Sequence, residues 1–185
     1  VKKVILDKDD VNVIIERLAI DVYQHIARKH NNLAFIGIQS RGDKIALRLK
    51  QLIEAKHKRV GNNYGEIPLG ILNINFYRDD LKKNSEAPLV NDFKIDFDIT
   101  GKHVVLVDDV FYTGRTVRAA LDAIFDKGRP AKISMLTLIK RPGRELPVLP
   151  EFVGLDLRVG DGEYVKVELT EVEGEDKVTV FDRPN

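Results

Sequence analysis

Two adjacent carboxylates, Asp108 and Asp109, end an apolar run and are followed at once by Val110-Phe111-Tyr112-Thr113-Gly114-Arg115-Thr116. Ionised aspartates only accept hydrogen bonds and attract cations, so a neighbouring pair suits a sugar diol or a metal-bound sugar. The residues after them suit the opposite charge. Thr113 offers a capping hydroxyl, Gly114 lacks the Cβ that would keep a ligand off the backbone, and the free N–H groups at a helix start favour an anion, most simply a phosphate. An acidic pair beside a Thr-Gly-Arg-Thr cradle therefore fits one ligand carrying both features, a ribose with a cis-diol and a 5′-phosphate.

Such residues need a scaffold. Val104-Val105-Leu106-Val107 has no polar alternation and reads as a strand buried on both faces of a parallel sheet, which puts the aspartates at its carboxyl end, where ligands of open α/β sheets bind. Val117, Ala120, Leu121, Ile124 and Phe125 then mark one face of a helix, with Gly128 expected as its left-handed cap. The same order of parts occurs earlier. Leu33 to Ile38 reads as a buried strand, Gln39-Ser40-Arg41-Gly42 as a loop offering N–H groups and a fixed cation to a second anion, and Ile45, Leu49, Leu52 and Ile53 as the next helix.

The rest of the chain extends this α/β pattern. A short strand at Val4 to Leu6 precedes an amphipathic helix to about Arg28, Lys56 to Gly65 reads as a loop, and Ile71 to Tyr77 as a strand. Ile133 to Ile139 is a further strand, which delivers Lys140-Arg141-Pro142-Gly143-Arg144 to the same sheet edge. Tyr164 to Leu169 and Lys177 to Phe181 alternate as half-exposed strands, with coil from Asp182. The polar stretch from about Asn75 to Asn91, with Arg78, Lys82 and Lys83, is expected to be a mobile hood, because weakly structured chain of that length inside a domain is commonly functional.

Composition narrows the class. At 185 residues, the chain is expected to form one domain over 1–185. A net charge of +1 argues against global attraction to nucleic acid. Without cysteine there is no thiolate chemistry, and four scattered histidines offer no ligand spacing, so any metal should be oxygen-bound and arrive with substrate. No apolar run approaches the roughly 18 residues of a membrane span, and no signal-peptide profile is seen, so a cytoplasmic location without membrane contact is expected.

The segment Val104 to Thr116 resembles the diphosphate-sugar motif of the type I phosphoribosyltransferases, and Ser40-Arg41-Gly42 resembles their diphosphate loop. The resemblance implies an α/β fold with a mostly parallel central sheet flanked by helices, a mobile loop and a small hood. It implies 5-phosphoribosyl 1-diphosphate and a nucleobase as substrates, Mg²⁺ on the diphosphate, and a homo-oligomer, dimer or tetramer. Arg78, Asp108 and Asp109 would be the catalytic set, the aspartates serving as ribose contacts and weak metal contacts through substrate. Ser40, Arg41, Gly42, the run Val110, Phe111, Tyr112, Thr113, Gly114, Arg115 and Thr116, and the pair Lys140 and Arg141 would bind substrate.

Within that family, Tyr77-Arg78-Asp79-Asp80, Tyr112 before Thr113, and Arg144-Glu145-Leu146-Pro147 resemble the pyrimidine operon attenuators, which also carry uracil phosphoribosyltransferase activity. Purine-salvage relatives typically have aspartate where Tyr112 stands. This resemblance implies transfer to uracil, giving UMP and diphosphate, with an mRNA leader as a further partner and Arg17, Arg28, Lys29, Arg48 and Lys50 as basic candidates. Against the attenuator pattern Asp-Arg-Gly-His-Arg, this chain reads Lys140-Arg141-Pro142-Gly143-Arg144. Lys140 resembles the lysine with which hypoxanthine-guanine enzymes meet a purine carbonyl. Two other readings follow, a purine enzyme and a nucleotide-sensing RNA-binding regulator with little enzyme activity.

Overall fold

The computed structural model describes residues 2–28, 31–62, 65–74, 93–160 and 162–182. Strand β1 (Lys2–Leu6) leads into helix α1 (Lys8–Val22), which starts at a capping box. Asp10 N donates to Asp7 Oδ1 at 3.0 Å, and Asp7 N donates back to Asp10 Oδ2 at 3.1 Å. The apolar stripe continues beyond Val22 through a π-helical turn, Tyr23–Ala27, that keeps Tyr23, Ile26 and Ala27 buried.

Five parallel strands form the central sheet in the order β3-β2-β4-β5-β6: β2 (Leu33–Ile38), β3 (Leu69–Leu72), β4 (His103–Phe111), β5 (Lys132–Lys140) and β6 (Phe152–Asp156). The strand with the acidic pair is therefore central. Val105 and Val107 pack with α1 and helix α2 (Gly42–Arg59) on one face, while Val104 and Leu106 pack with helix α3 (Arg115–Lys127) on the other. This two-sided burial explains the unbroken apolar run.

A second, antiparallel sheet has the order β1-β8-β7, from β7 (Glu163–Glu168) and β8 (Lys177–Asp182), joined by the one-turn helix α4 (Thr170–Glu173). Its Val167 and Val178, with Leu169, belong to the same core as α1 and α2, so the two sheets are held by one apolar body.

Several boundaries differ from the sequence expectations. Helix α2 runs to Arg59 where a loop was expected from Lys56, since the basic last turn complements the helix dipole and His57 is buried against Tyr23. Strand β3 starts earlier, at Leu69, and ends at Leu72, because its partner β2 ends at Ile38, opposite Leu72. Residues 75–77 of the expected strand, the expected mobile hood over 75–91 and Arg78 lie outside the described residues. Gly128 ends α3 with φ 166°, an extended conformation rather than a left-handed cap, and a Cβ there would lie 2.9 Å from Ile99 Cγ1. Among the described residues no helix is long and apolar enough to cross a membrane.

Candidate active site at the carboxyl edge of β4

Strand β4 continues past its aspartates, with Asp108 opposite Thr137, Val110 opposite Ile139 and Phe111 opposite Lys140 on β5. The acidic pair is thereby fixed in strand geometry. Asp109 N donates to Asp108 Oδ1 at 2.9 Å, and Val110 N donates to Asp109 Oδ1 at 2.9 Å. Asp108 is buried. Burial first, and the neighbouring Asp109 carboxylate second, push its carboxyl well above the usual aspartate range, against the pull of the Asp109 N–H. Among the described residues, Arg41 is the cation paired with these aspartates, its Nη1 3.9 Å from Asp109 Oδ2. Two carboxylates so weakly compensated form a receptor for a diol or a cation.

Next to the pair opens a cavity of about 350 Å³, within the range of small-molecule sites. Of the residues singled out from the sequence, Asp108, Asp109, Val110, Phe111, Tyr112, Thr113, Gly114 and Thr116 line it. Ile38, Ile74 and Val117, which were missed, also line it, as does Gln39 from the loop after β2. Ile38 and Gln39 carry the usable signal, because the end of β2 must lie beside the end of β4 once the two strands pair.

The cradle is built differently from the expectation. Gly114, at φ 90°, occupies the N-cap of α3, and Thr113 stands one residue earlier, its Oγ1 accepting from Arg115 N at 3.3 Å. A Cβ on Gly114 would meet Val148 Cγ2 at 2.9 Å and Leu146 Cβ at 3.4 Å, so the glycine admits the strap 145–148 rather than a ligand. That strap is tied down by Glu145 N and Leu146 N, which donate to Thr113 O at 2.9 and 3.3 Å. Arg115 Nε meets Glu145 Oε2 at 2.8 Å, which directs the arginine to the strap. The N–H groups of Thr116 and Val117, in the first turn of the helix, have no intrahelical acceptor.

The second loop approaches from β2. The Gln39–Ser40 peptide is cis, and Arg41 follows it as the N-cap of α2. A Cβ on Gly42 would lie 2.3 Å from Val107 O and 3.1 Å from Asp108 Cα, so this glycine sets α2 directly against the acidic strand. Glu173 Oε1 accepts from Arg41 Nε at 3.0 Å and from Nη2 at 2.5 Å. Neither Ser40, Arg41 nor Gly42 lines the cavity.

The strap and β5 frame Tyr112. The Arg141 guanidinium lies 4.2 Å from the Tyr112 ring centre, and its Nη1 donates to Glu163 O at 2.8 Å, so this buried arginine braces the ring from behind. Gly143, at φ +115°, lies flat on the same ring, where a Cβ would be 2.2 Å from Tyr112 Cε2. Lys140 Nζ pairs with Asp156 Oδ2 at 2.5 Å across the β5–β6 register. Neither Lys140 nor Arg141 lines the cavity, and the geometry gives both other partners.

Several of the expected basic residues are likewise drawn into the fold. Arg48 pairs with Glu171 and Asp176, Lys50 with Glu54 and Glu66, and Arg17 with Asp21 and the carbonyl of Gly154, while Lys29 lies outside the described residues. Among the described residues no group of three or more His, Cys, Asp or Glu could hold a metal ion by itself.

Comparison with known proteins agrees with this geometry. The family model described as "Phosphoribosyl transferase domain" matches residues 3–169. The Bifunctional protein PyrR of Acetivibrio thermocellus is 44% identical over 181 residues, covering 98% of this chain and 95% of the relative. That of Thermus thermophilus is 46% identical over 151 residues, covering 82% and 80%. Among solved structures, the hypoxanthine phosphoribosyltransferase of Trypanosoma cruzi superposes with TM-score 0.70 at 16% identity, covering 98% of this chain and 97% of the other. A hypoxanthine-guanine phosphoribosyltransferase of Bacillus anthracis does so with TM-score 0.68 at 18% identity, covering 95% of each. At such identities these structures establish the shared architecture, a parallel five-stranded sheet flanked by helices. From the acidic pair and helix-start cradle on β4, the family match over most of the chain and the PyrR relatives together, the chain belongs to the phosphoribosyltransferase family.

Proposed function

We propose that this protein transfers 5-phosphoribose from 5-phosphoribosyl 1-diphosphate to uracil, giving UMP and diphosphate. The observation that carries the reading is the single cavity wall on which Asp108 and Asp109 stand directly before the helix-start cradle of Thr113 to Thr116. The backbone N–H groups there suit the 5′-phosphate, the two aspartates the ribose diol, and Arg41 with Ser40 and Gly42 the diphosphate, with Arg78 as a further cation outside the described residues. Holding the substrate at both ends orients C1′ for displacement, and fixed cations around the leaving group favour the charge that develops on it.

Mg²⁺ fits this arrangement as a substrate-borne ion. The carboxylates of Asp108 and Asp109 are hard oxygen donors, but two carboxylates make an incomplete ligand set, so diphosphate oxygens and water would supply the rest. When bound, Mg²⁺ would neutralise diphosphate charge. The aspartates serve this scheme as charge and diol partners, not as proton acceptors.

Uracil is favoured over a purine by Tyr112, a flat ring braced by Arg141 and Gly143 where purine relatives typically carry a carboxylate, and by the pairing of Lys140 with Asp156. Nucleotide formation measured with uracil, hypoxanthine, guanine, xanthine and adenine in turn should give UMP as the dominant product. Activity confined to hypoxanthine or guanine would overturn the pyrimidine assignment.

A further inference from the structure

The acidic turn between β7 and β8 reaches across to the loop that carries Arg41, and it is built to hold its position. Glu173 Oε2 accepts from Leu169 N at 2.8 Å, so the carboxylate is oriented by its own turn before it meets the arginine. Its other oxygen takes both Nε and Nη2 of Arg41. The turn is clamped to α2 next door, where Arg48 binds Glu171 Oε2 at 2.6 Å and Asp176 Oδ2 at 2.7 Å, while Asp176 Oδ1 accepts from Thr170 N at 2.7 Å. Glu173 is thus a fixed anion, and it lies outside the span 3–169 matched by the family model.

Arginine presents five donors in a planar fork. With Glu173 on the Nε and Nη2 edge, Nη1 is left facing the acidic strand, but at 3.9 Å from Asp109 Oδ2 it stops short of a close ion pair. Released from Glu173, the long side chain would be drawn onto Asp109, its other ion-pair partner among the described residues, and would occupy a carboxylate assigned to the ribose. From this geometry we infer that Glu173 is a positioning residue, which holds the Arg41 fork off Asp109 with a free edge turned to the diphosphate. The inference rests on the assignment of Arg41 to diphosphate made above.

The test measures calorimetric binding of 5-phosphoribosyl 1-diphosphate with Mg²⁺ to the full chain and to Glu173→Ala, Glu173→Gln, Arg41→Ala and the double variant Arg41→Ala with Glu173→Ala. Glu173→Ala should weaken binding about tenfold, and Glu173→Gln, whose carbonyl oxygen still accepts from Arg41, should recover most of that loss. The double variant should bind no worse than Arg41→Ala, because Glu173 acts only through the arginine. Unchanged binding in Glu173→Ala alongside weakened binding in Arg41→Ala would overturn the positioning role alone. Tighter binding in Glu173→Ala would also overturn it, making the glutamate a competitor of the diphosphate. No effect of Arg41→Ala, or no binding by the unmodified chain, would overturn the underlying assignment and the inference with it. The Arg48 ion pairs keep the turn in place in every variant, and melting curves check this.

Discussion

Changing Asp108 and Asp109 together to asparagine should lower phosphoribosyl transfer about a hundredfold or more, since charge aimed at the reacting sugar and its cation is lost. The fold should survive, because asparagine is the same size and its carbonyl oxygen still accepts from the Asp109 and Val110 backbone N–H groups. Asp108→Asn alone should raise the melting temperature near neutral pH. Its carboxyl is pushed above the usual value of 3.8 in the folded protein, so folding favours the protonated form. That contribution is fully present below about 3.8 and is lost as pH rises through the raised folded value. The gain from asparagine should therefore vanish in acid and grow toward neutrality. A roughly 1 kcal/mol gain corresponds to about 2–4 °C for a chain of this size. Steady-state assays with thermal melts at acid and neutral pH check both halves. A fully active double variant would refute the site assignment, and a lower melting temperature in Asp108→Asn would refute the charge argument.

Gly42→Ala should be damaging out of proportion to one methyl group. The new Cβ would fall 2.3 Å from the carbonyl oxygen of Val107 and 3.1 Å from Asp108 Cα, and both are backbone atoms that cannot rotate aside. Helix α2 would have to lift from β4. Overpacking of this kind costs roughly 1–3 kcal/mol and at times more. The movement would also part the Arg41 loop from the acidic pair, so residual activity should be low even in the folded fraction. Denaturant unfolding with activity per folded molecule measures the two effects separately, and a variant as stable and active as the parent would show that the loop is not set by this contact. At Gly61, by contrast, a Cβ would meet nothing within 4 Å, though its φ of +74° strains any side chain.

The parts of the fold that sequence revealed are those written in local pattern. The valine-rich run of β4 is buried on both faces, and the stripes of α1, α2 and α3 pack against it, because periodicity is imposed directly by burial. Other parts were hidden. Strand β6 has Gly154 at its centre, where a Cβ would lie 2.3 Å from Leu138 O and 2.7 Å from Ile14 Cγ2, so a residue that weakens strand propensity was required by the close approach of the β5 backbone and α1.

The candidate site divides the same way. Asp108, Asp109 and the residues from Val110 to Gly114 adjoin one another in sequence and were legible as a group. Glu173 and Arg41 are 132 residues apart, and a glutamate in an acidic turn carries no local sign of its partner. Lys140 and Arg141 illustrate the converse, since their types suited a ligand while Asp156, Tyr112 and the Glu163 carbonyl, brought near by tertiary structure, take up their donors.

The central claim is that one wall of one cavity receives the whole phosphorylated ribose. The most direct test is a crystal structure of the protein with 5-phosphoribosyl 1-diphosphate and Mg²⁺. The 5′-phosphate should lie within hydrogen-bonding distance of backbone N–H groups between Thr113 and Thr116, the ribose hydroxyls on the Asp108 and Asp109 carboxylates, and the diphosphate beside Arg41. A ligand bound with its 5′-phosphate away from the start of α3, or with its diol remote from both aspartates, would contradict the account.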